Sequence, residues 1–352
     1  MKISAARRSG TTRPMVSVVI PCYNYGNYLP SAVASVTGQP GVDLDIIIVD
    51  DASTDGSQDV ACALAAADPR IRLILHEQNM RHIATYNDGL REARGDYVVL
   101  LSADDLLAPG SLERSTSLME SHPEIGLVYG YAPEFTDAPP AASSRRVTWT
   151  RWTGPDWIAW MCRRGTNILV NPEAMLRRSI MDELVGYRAD MPHSADMELW
   201  MRAAALGGVG RVNGPDQAYY RVHASNMHLT DYAGLLTDMG ARRDTFNRFF
   251  AENPALANSV SLAGRAHRSI AYEALRYAAS ASRGDGSAGG AGVEDLIEFA
   301  RATWAGIVNT SAWRTSRRRL HSPASALRRS YDKKLSDLRA ALLWRRWRRF
   351  GV

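Results

Sequence analysis

Only three cysteines occur in 352 residues, Cys22, Cys62 and Cys162, widely spaced and with no Cys-x-x-Cys pair. That scarcity excludes a disulfide framework and a thiolate zinc site, and it suits a reducing compartment. Nowhere do about 18 apolar residues run uninterrupted, so no segment reads as spanning a bilayer. Arg7-Arg8 is followed by no apolar stretch before Pro14, so no export signal is expected and the expected address is the cytoplasm. Also missing is Gly-x-Gly-x-x-Gly after the first apolar run. The turn there reads Pro21-Cys-Tyr-Asn-Tyr25. This excludes the dinucleotide fingerprint of a dehydrogenase and the Gly-rich, Arg-containing phosphate loop of a nucleotidyltransferase.

What is present fits an ordinary globular chain, with 45% hydrophobic and 22% charged residues. The length allows one large α/β domain and a smaller appendage. The net charge of +5 is unevenly spread, with 13 Lys and Arg against 2 Asp and Glu from Ser311 to Val352. The remaining 1–310 carries 29 against 35 and is mildly acidic. A basic tail on an acidic body is either a solvated helix or a surface that faces a polyanion or membrane.

Residues 1–14 read as a disordered arm. Val16-Ser-Val-Val-Ile-Pro21 and Asp45-Ile-Ile-Ile-Val-Asp50 are strands of the buried kind, about 30 residues apart, with a helical stripe at Leu29, Ala32, Val33 and Val36 between them. Ile71–Leu75 and Tyr97–Leu101 continue the series, with helices ending near Ala67 and Arg94. Alternation of this kind predicts a doubly wound, mostly parallel sheet, whose ligands bind beyond the carboxyl ends of the strands. Further on, a strand is expected over 125–131, a surface loop over 137–148, and a Trp-rich helix over 152–163. Another strand is expected over 168–170, a helix over 196–206, a last strand over 209–212, and helices from Tyr232 onward. A Gly- and Ser-rich stretch at 282–292 reads as a flexible linker.

Four clusters carry chemistry. Asp50-Asp51 directly follows four apolar strand residues, where a carboxylate can accept hydrogen bonds from a base N–H or a ribose hydroxyl; Ser53 and Asp55 nearby suit helix capping. Asp104-Asp105 also follows a strand. Adjacent carboxylates repel unless compensated, and Mg²⁺ or Mn²⁺ bridging a diphosphate is the natural compensator. Asp196, with Trp200 one turn later, is placed either to take a proton or to cap a helix. Arg221 and His223 lie in a polar, aromatic loop, suited to a phosphate and to a metal or a plain surface role respectively.

Together these stretches resemble the large inverting glycosyltransferase family 2, which has the GT-A fold. Val16–Asn24 is similar to its first strand and turn, and Asp45–Gly56 to its nucleoside-binding strand. Asn79 with Asn87-Asp-Gly89 and Gly95 matches the following helix, Ala103-Asp104-Asp105 its DXD element, and Ala195-Asp196 with Trp200 and Arg202 its base segment. The resemblance implies an α/β GT-A fold with a C-terminal helical extension. It implies a domain over 15–230, with a donor half at 15–135 and an acceptor half at 150–230, followed by helices over 231–352. It further implies transfer of a hexosyl group from a nucleoside diphosphate donor, uridine favoured, to a glycan or lipid-linked hydroxyl, as in polysaccharide biosynthesis. Pro21, Tyr23, Asp51, Asp104 and Arg221 would bind the donor. Asp105 and His223 would hold Mn²⁺ or Mg²⁺, and Asp196 would be the general base. Many members have Glu-Asp where this chain has Ala195-Asp196, which leaves Glu198 as a rival carboxylate and keeps an inactive nucleotide-sugar-binding scaffold as the alternative. In the tail over 322–352, Leu343, Trp344, Trp347 and Phe350 share one helical face against Arg345, Arg346, Arg348 and Arg349. That pattern fits an interfacial helix on anionic lipid at the inner face of the cell membrane, or a helix packed on the protein's own body; no nucleic-acid partner is expected.

Overall fold

The structure is a computed structural model that describes residues 1–6, 13–143, 145–169, 171–226, 234–256, 258–281, 291–321, 334, 338, 341–348 and 351. Two compact units divide the chain: Met1–Trp157 with Leu169–His223, and Ile158–Ile168 with Ala224–Val352.

The first unit is built from β1 (Lys2–Ala5), β2 (Met15–Cys22), α1 (Leu29–Thr37), β3 (Asp43–Asp50), α2 (Ser57–Ala67), β4 (Ile71–Leu75), α3 (Arg81–Arg91) and β5 (Tyr97–Leu100). Next come β6 (Leu106–Leu107), α4 (Ser111–Ser121), β7 (Ile125–Tyr129), β8 (Glu134–Phe135), β9 (Thr148–Trp152), α5 (Gly154–Arg164), β10 (Met175–Arg177), α6 (Arg178–Leu184), α7 (Ala195–Leu206), β11 (Gly208–Asn213) and β12 (Ala218–Arg221). The chain leaves this unit part-way along α5 and returns before β10. Nine strands form one sheet in the order β1-β9-β11-β7-β10-β5-β2-β3-β4, and β6-β12-β8 form a second, small one.

The half of the large sheet from β5 to β4 is wholly parallel. Strands β5, β2 and β3 are buried on both faces, which is why they read as continuous apolar runs: Val18 and Val19, and Ile46 and Ile47, are all fully covered, whereas the edge strand β4 is only partly buried. Leu29, Ala32, Val33 and Val36 bury one stripe of α1. Two glycines allow close packing, Gly95 against the backbone of β2 and Gly89 against the Val19 side chain. A Cβ on Gly95 would lie 2.6 Å from the Ser17 nitrogen, and one on Gly89 would lie 2.3 Å from Val19 Cγ1.

Three expectations are corrected. The arm expected over 1–14 contains β1, which pairs antiparallel with Thr148–Arg151; residues 7–12 lie outside the described residues. The strand expected over 168–170 lies instead at Met175–Arg177, wedged antiparallel between β5 and β7. Finally, β11 is not the last strand, because Ala218–Arg221 pairs with β6 and β8.

The second unit adds α8 (Leu235–Glu252), α9 (Ser259–Ala281), α10 (Val293–Thr303) and α11 (Ser311–His321). Phe246, Ile270, Leu296 and Ile297 lie in its core, and buried Arg242 pairs with Glu273 at 2.9 Å. Most of the linker and tail, residues 282–290 and 322–333 included, lies outside the described residues. Of the tail, 341–348 is helical. Trp347 does not stand open with Leu343 and Trp344: its indole Nε1 donates to the Ile168 carbonyl at 3.0 Å, and Arg346 lies 4.6 Å over the Trp160 ring. Phe350 lies outside the described residues.

Candidate active site

Because β5, β2 and β3 run parallel side by side, their carboxyl ends open on one rim of the sheet. At the end of β3, Asp50 is fully buried and serves the turn that follows. Its Oδ1 accepts from the Ser53 N–H at 2.9 Å and the Gln58 amide at 3.0 Å. Asp51 accepts on Oδ1 from the Met80 N–H at 2.7 Å and from the His76 ring at 2.8 Å. Two residues here hold positive φ, Asn24 at 56° and Ala52 at 58°, a conformation uncommon outside glycine that clusters at functional loops. Asn24 ties the two loops together, donating its N–H to Ser53 Oγ at 2.9 Å and accepting from the Thr54 N–H at 2.8 Å. Asp55 accepts from the Ser57 N–H at 3.0 Å and so serves the start of α2. Pro21 is half-buried at the end of β2, and Tyr23 is exposed.

The second cluster follows β5. Asp104 and Asp105 are 6% and 1% exposed. Burial first, and the Asp104 charge second, push the Asp105 carboxyl well above its usual range, only partly offset by the Arg221 N–H and charge. Pairing of Arg221 with Phe135 in the small sheet brings the Arg221 backbone here, where its N–H donates to Asp105 Oδ1 at 2.8 Å. The guanidinium donates to the carbonyls of Asp104, at 2.8 Å, and Thr136, at 3.1 Å. It lies over the rings of Tyr28 and Phe135, at 4.9 and 4.4 Å. His223 Nε2 sits 2.9 Å from Asp104 Oδ2, its ring stacked on Tyr28 and edge-on to Tyr25.

Among the described residues no group of three or more His, Cys, Asp or Glu side chains could by itself hold a metal. The donor set nevertheless fits a hard divalent cation. Such ions take one or two carboxylates and complete their shell with substrate phosphates and water, and the buried acid pair is short of positive charge.

Asp196 opens α7. The N-cap position belongs to Ser194, which makes no side-chain cap bond, so Asp196 is not the helix cap. The residue is half-buried. Burial pushes its carboxyl up to about 6, against a smaller downward pull from a hydrogen bond to Tyr187. Asn87 on α3 places Tyr187, donating to its carbonyl at 2.9 Å and accepting from its N–H at 2.7 Å. The same helix begins beside Asp51, so α3 connects the loop after β3 to the Asp196 segment. Trp200 is buried.

Residues 17–185 match the family described as Glycosyl transferase family 2. Over that stretch the chain is similar to family 2 glycosyltransferases. An uncharacterized glycosyltransferase of Nostoc sp. is 28% identical over 224 residues, which cover 61% of this chain and 67% of that protein. The structure of S. aureus TarS in complex with UDP-GlcNAc superposes with a TM-score of 0.61 at 14% identity, covering 89% of this chain and 93% of that one. A mannosyltransferase from Pyrobaculum calidifontis in complex with GDP-Man and Mn²⁺ gives 0.54 at 20% identity, covering 92% and 89%. At those identities the likeness concerns the fold, which is GT-A.

In this glycosyltransferase Glu198 is committed elsewhere. It is 2% exposed and accepts from Arg202 Nε at 2.7 and 2.8 Å, with Arg188 Nε at 3.2 Å. Arg202 in turn donates to the carbonyls of Leu184, at 2.8 Å, and Gly186, at 2.9 Å, which fixes the loop that carries Tyr187. Sequence reading missed His76, Tyr28 and Tyr187, none of which stands in a recognisable pattern. Replacing Glu198 by Ala removes a buried carboxylate from the part-buried Arg202 and Arg188 and should cost about 1.5–3 kcal/mol of stability. Urea unfolding checks this; an unchanged midpoint would free Glu198 from its structural role.

Proposed function

We propose that this glycosyltransferase transfers a sugar, with inversion, from a nucleoside diphosphate donor to an acceptor hydroxyl, uridine being the favoured nucleoside. The observation that carries the reading is the buried, under-compensated pair Asp104-Asp105 on the same rim as Asp51. Pro21 and Tyr23 flank the base and Asp51 accepts its N–H. Asp104 contacts the ribose or diphosphate, and Arg221 directs its fixed positive charge at the diphosphate. Asp105 and His223, with Asp104, are the residues that would hold Mn²⁺ or Mg²⁺, which when bound neutralises charge on the leaving diphosphate. TarS and the archaeal mannosyltransferase, whose structures hold UDP-GlcNAc and GDP-Man with Mn²⁺, support this class of donor and metal.

Asp196 removes the proton of the attacking hydroxyl as that oxygen closes on the anomeric carbon from the face opposite the diphosphate. A carboxyl near 6 suits a general base, being roughly nine-tenths ionised at pH 7 yet more basic than an ordinary Asp. Tyr187 orients it.

The acceptor we infer is a glycan or a lipid-linked glycan at a membrane surface. Among the described residues no helix is long and apolar enough to cross a membrane. The tail helix, however, leaves Leu342, Leu343 and Trp344 about half exposed, at 55%, 48% and 49%, beside Arg345, Arg346 and Arg348. Apolar insertion flanked by cations is what an anionic bilayer surface binds.

Two outcomes are expected. Replacing Asp196 by Asn should lower turnover about 10²–10⁴-fold with the fold intact. Wild-type turnover, which needs the ionised carboxylate, should fall about tenfold per pH unit below pH 6, a limb the variant lacks. A flat profile from pH 5 to 7 would remove Asp196 from the base role. In co-sedimentation, vesicles containing phosphatidylglycerol should retain the wild type and release a Leu342→Glu, Trp344→Glu double variant. Equal retention would reject the lipid surface.

A further inference from the structure

His76 follows β4 and stands between two carboxylates. Its Nδ1 is 2.8 Å from Asp51 Oδ1, and its Nε2 is 3.0 Å from Asp88 Oδ2, off the line of a good hydrogen bond. Its side chain is 10% exposed and that of Asp51 4%. Asp88, on α3, is gripped on its other oxygen by Arg91. Asp51 Oδ1 therefore receives two donors from fixed groups, the His76 ring and the Met80 N–H, while Oδ2 takes none among the described residues. A carboxylate pinned in this way cannot rotate to present Oδ1. It offers one oxygen, at a rim where ligands bind, and that oxygen can only accept.

Resting on the reading of Asp51 as the base contact, we infer that His76 is a positioning residue that makes the donor site selective for bases with a ring N–H. Uracil and thymine present N3–H, and guanine presents N1–H. Cytosine N3 and adenine N1 are bare acceptors at the corresponding place, so the carboxylate would face a lone pair and remain unsatisfied while buried. Leaving a buried acceptor unpaired costs roughly 10- to 100-fold in affinity. The Arg91–Asp88–His76 chain determines how rigidly this discrimination is held: without the imidazole, Asp51 can turn and take water, and its hold on the ring N–H of the preferred base is lost.

The test is calorimetric titration of the full chain, with Mn²⁺ present, by UDP, GDP, CDP and ADP. Wild type should bind UDP or GDP at least tenfold more tightly than CDP and ADP, and the UDP and GDP arms say which of the two fits. His76→Leu should raise the Kd of the preferred diphosphate about tenfold while that of CDP stays within twofold. His76→Asn, which returns an N–H donor near the Nδ1 position, should recover most of the ratio, and Asp88→Asn should reduce it about threefold. Circular dichroism melts identify variants that fold; should His76→Leu not fold, the Asp88→Asn ratio decides. Binding with no preference among bases in the wild type, or a preference unchanged in the folded variants, overturns the inference while leaving the donor reading intact. Failure of every nucleoside diphosphate to bind overturns both.

Discussion

Two carboxylates side by side at the end of a buried strand repel each other, and the surroundings of Asp104 and Asp105 are arranged to bear that repulsion. The fold spreads this load. A backbone N–H from Arg221 meets Asp105, the Arg221 guanidinium is stapled to the Asp104 carbonyl, and the His223 imidazole meets Asp104. With these groups in place the Asp105 carboxyl still lies well above its usual range, through burial first and the Asp104 charge second. Strand β12 exists in the structure as the means of delivering those groups: it is short, it pairs with β6 beside the acid pair, and its last residue is Arg221. A protein that needed only stability would replace such a pair with apolar residues.

Asp196 has the opposite surroundings. No charged group is among the influences on it, and its carboxyl rises through burial, with Tyr187 as its polar contact. Environment therefore separates two kinds of acid in one domain, a crowded buried pair and a carboxyl that burial alone raises toward neutrality. Their placement shares a frame. Helix α3 starts beside Asp51 and clamps Tyr187 through Asn87, while the Glu198–Arg202–Arg188 network closes the Tyr187 loop from α7.

Much of this was legible in the residues. Strands covered on both faces cannot alternate, so β2, β3 and β5 announce themselves as β-branched runs, and acids placed directly after them point to the ligand rim. The elements that escaped reading are those whose structure comes from a partner. Lys2–Ala5 is a strand because β9 offers it an edge, and Thr148–Trp152 is aromatic in a way that suits helix and strand equally. Asp196 and Glu198 are indistinguishable by spacing; their roles separate only when Arg202, one turn on, and Arg188, from the preceding loop, claim Glu198. His76 lies in a polar turn without periodicity, and its partner Asp51 is 25 residues away, a pairing that only the β3-β4 register creates.

On the proposed reading donor binding turns on the crowded acids Asp104 and Asp105, and calorimetric titration of UDP and GDP with and without Mn²⁺, in the wild type and in Asp105→Ala, tests it most directly. Mn²⁺ is predicted to tighten binding of at least one diphosphate by tenfold or more, and the gain should disappear in the variant. Equal affinity with and without the ion, or a Mn²⁺ gain retained by Asp105→Ala, would contradict a cation role for the pair.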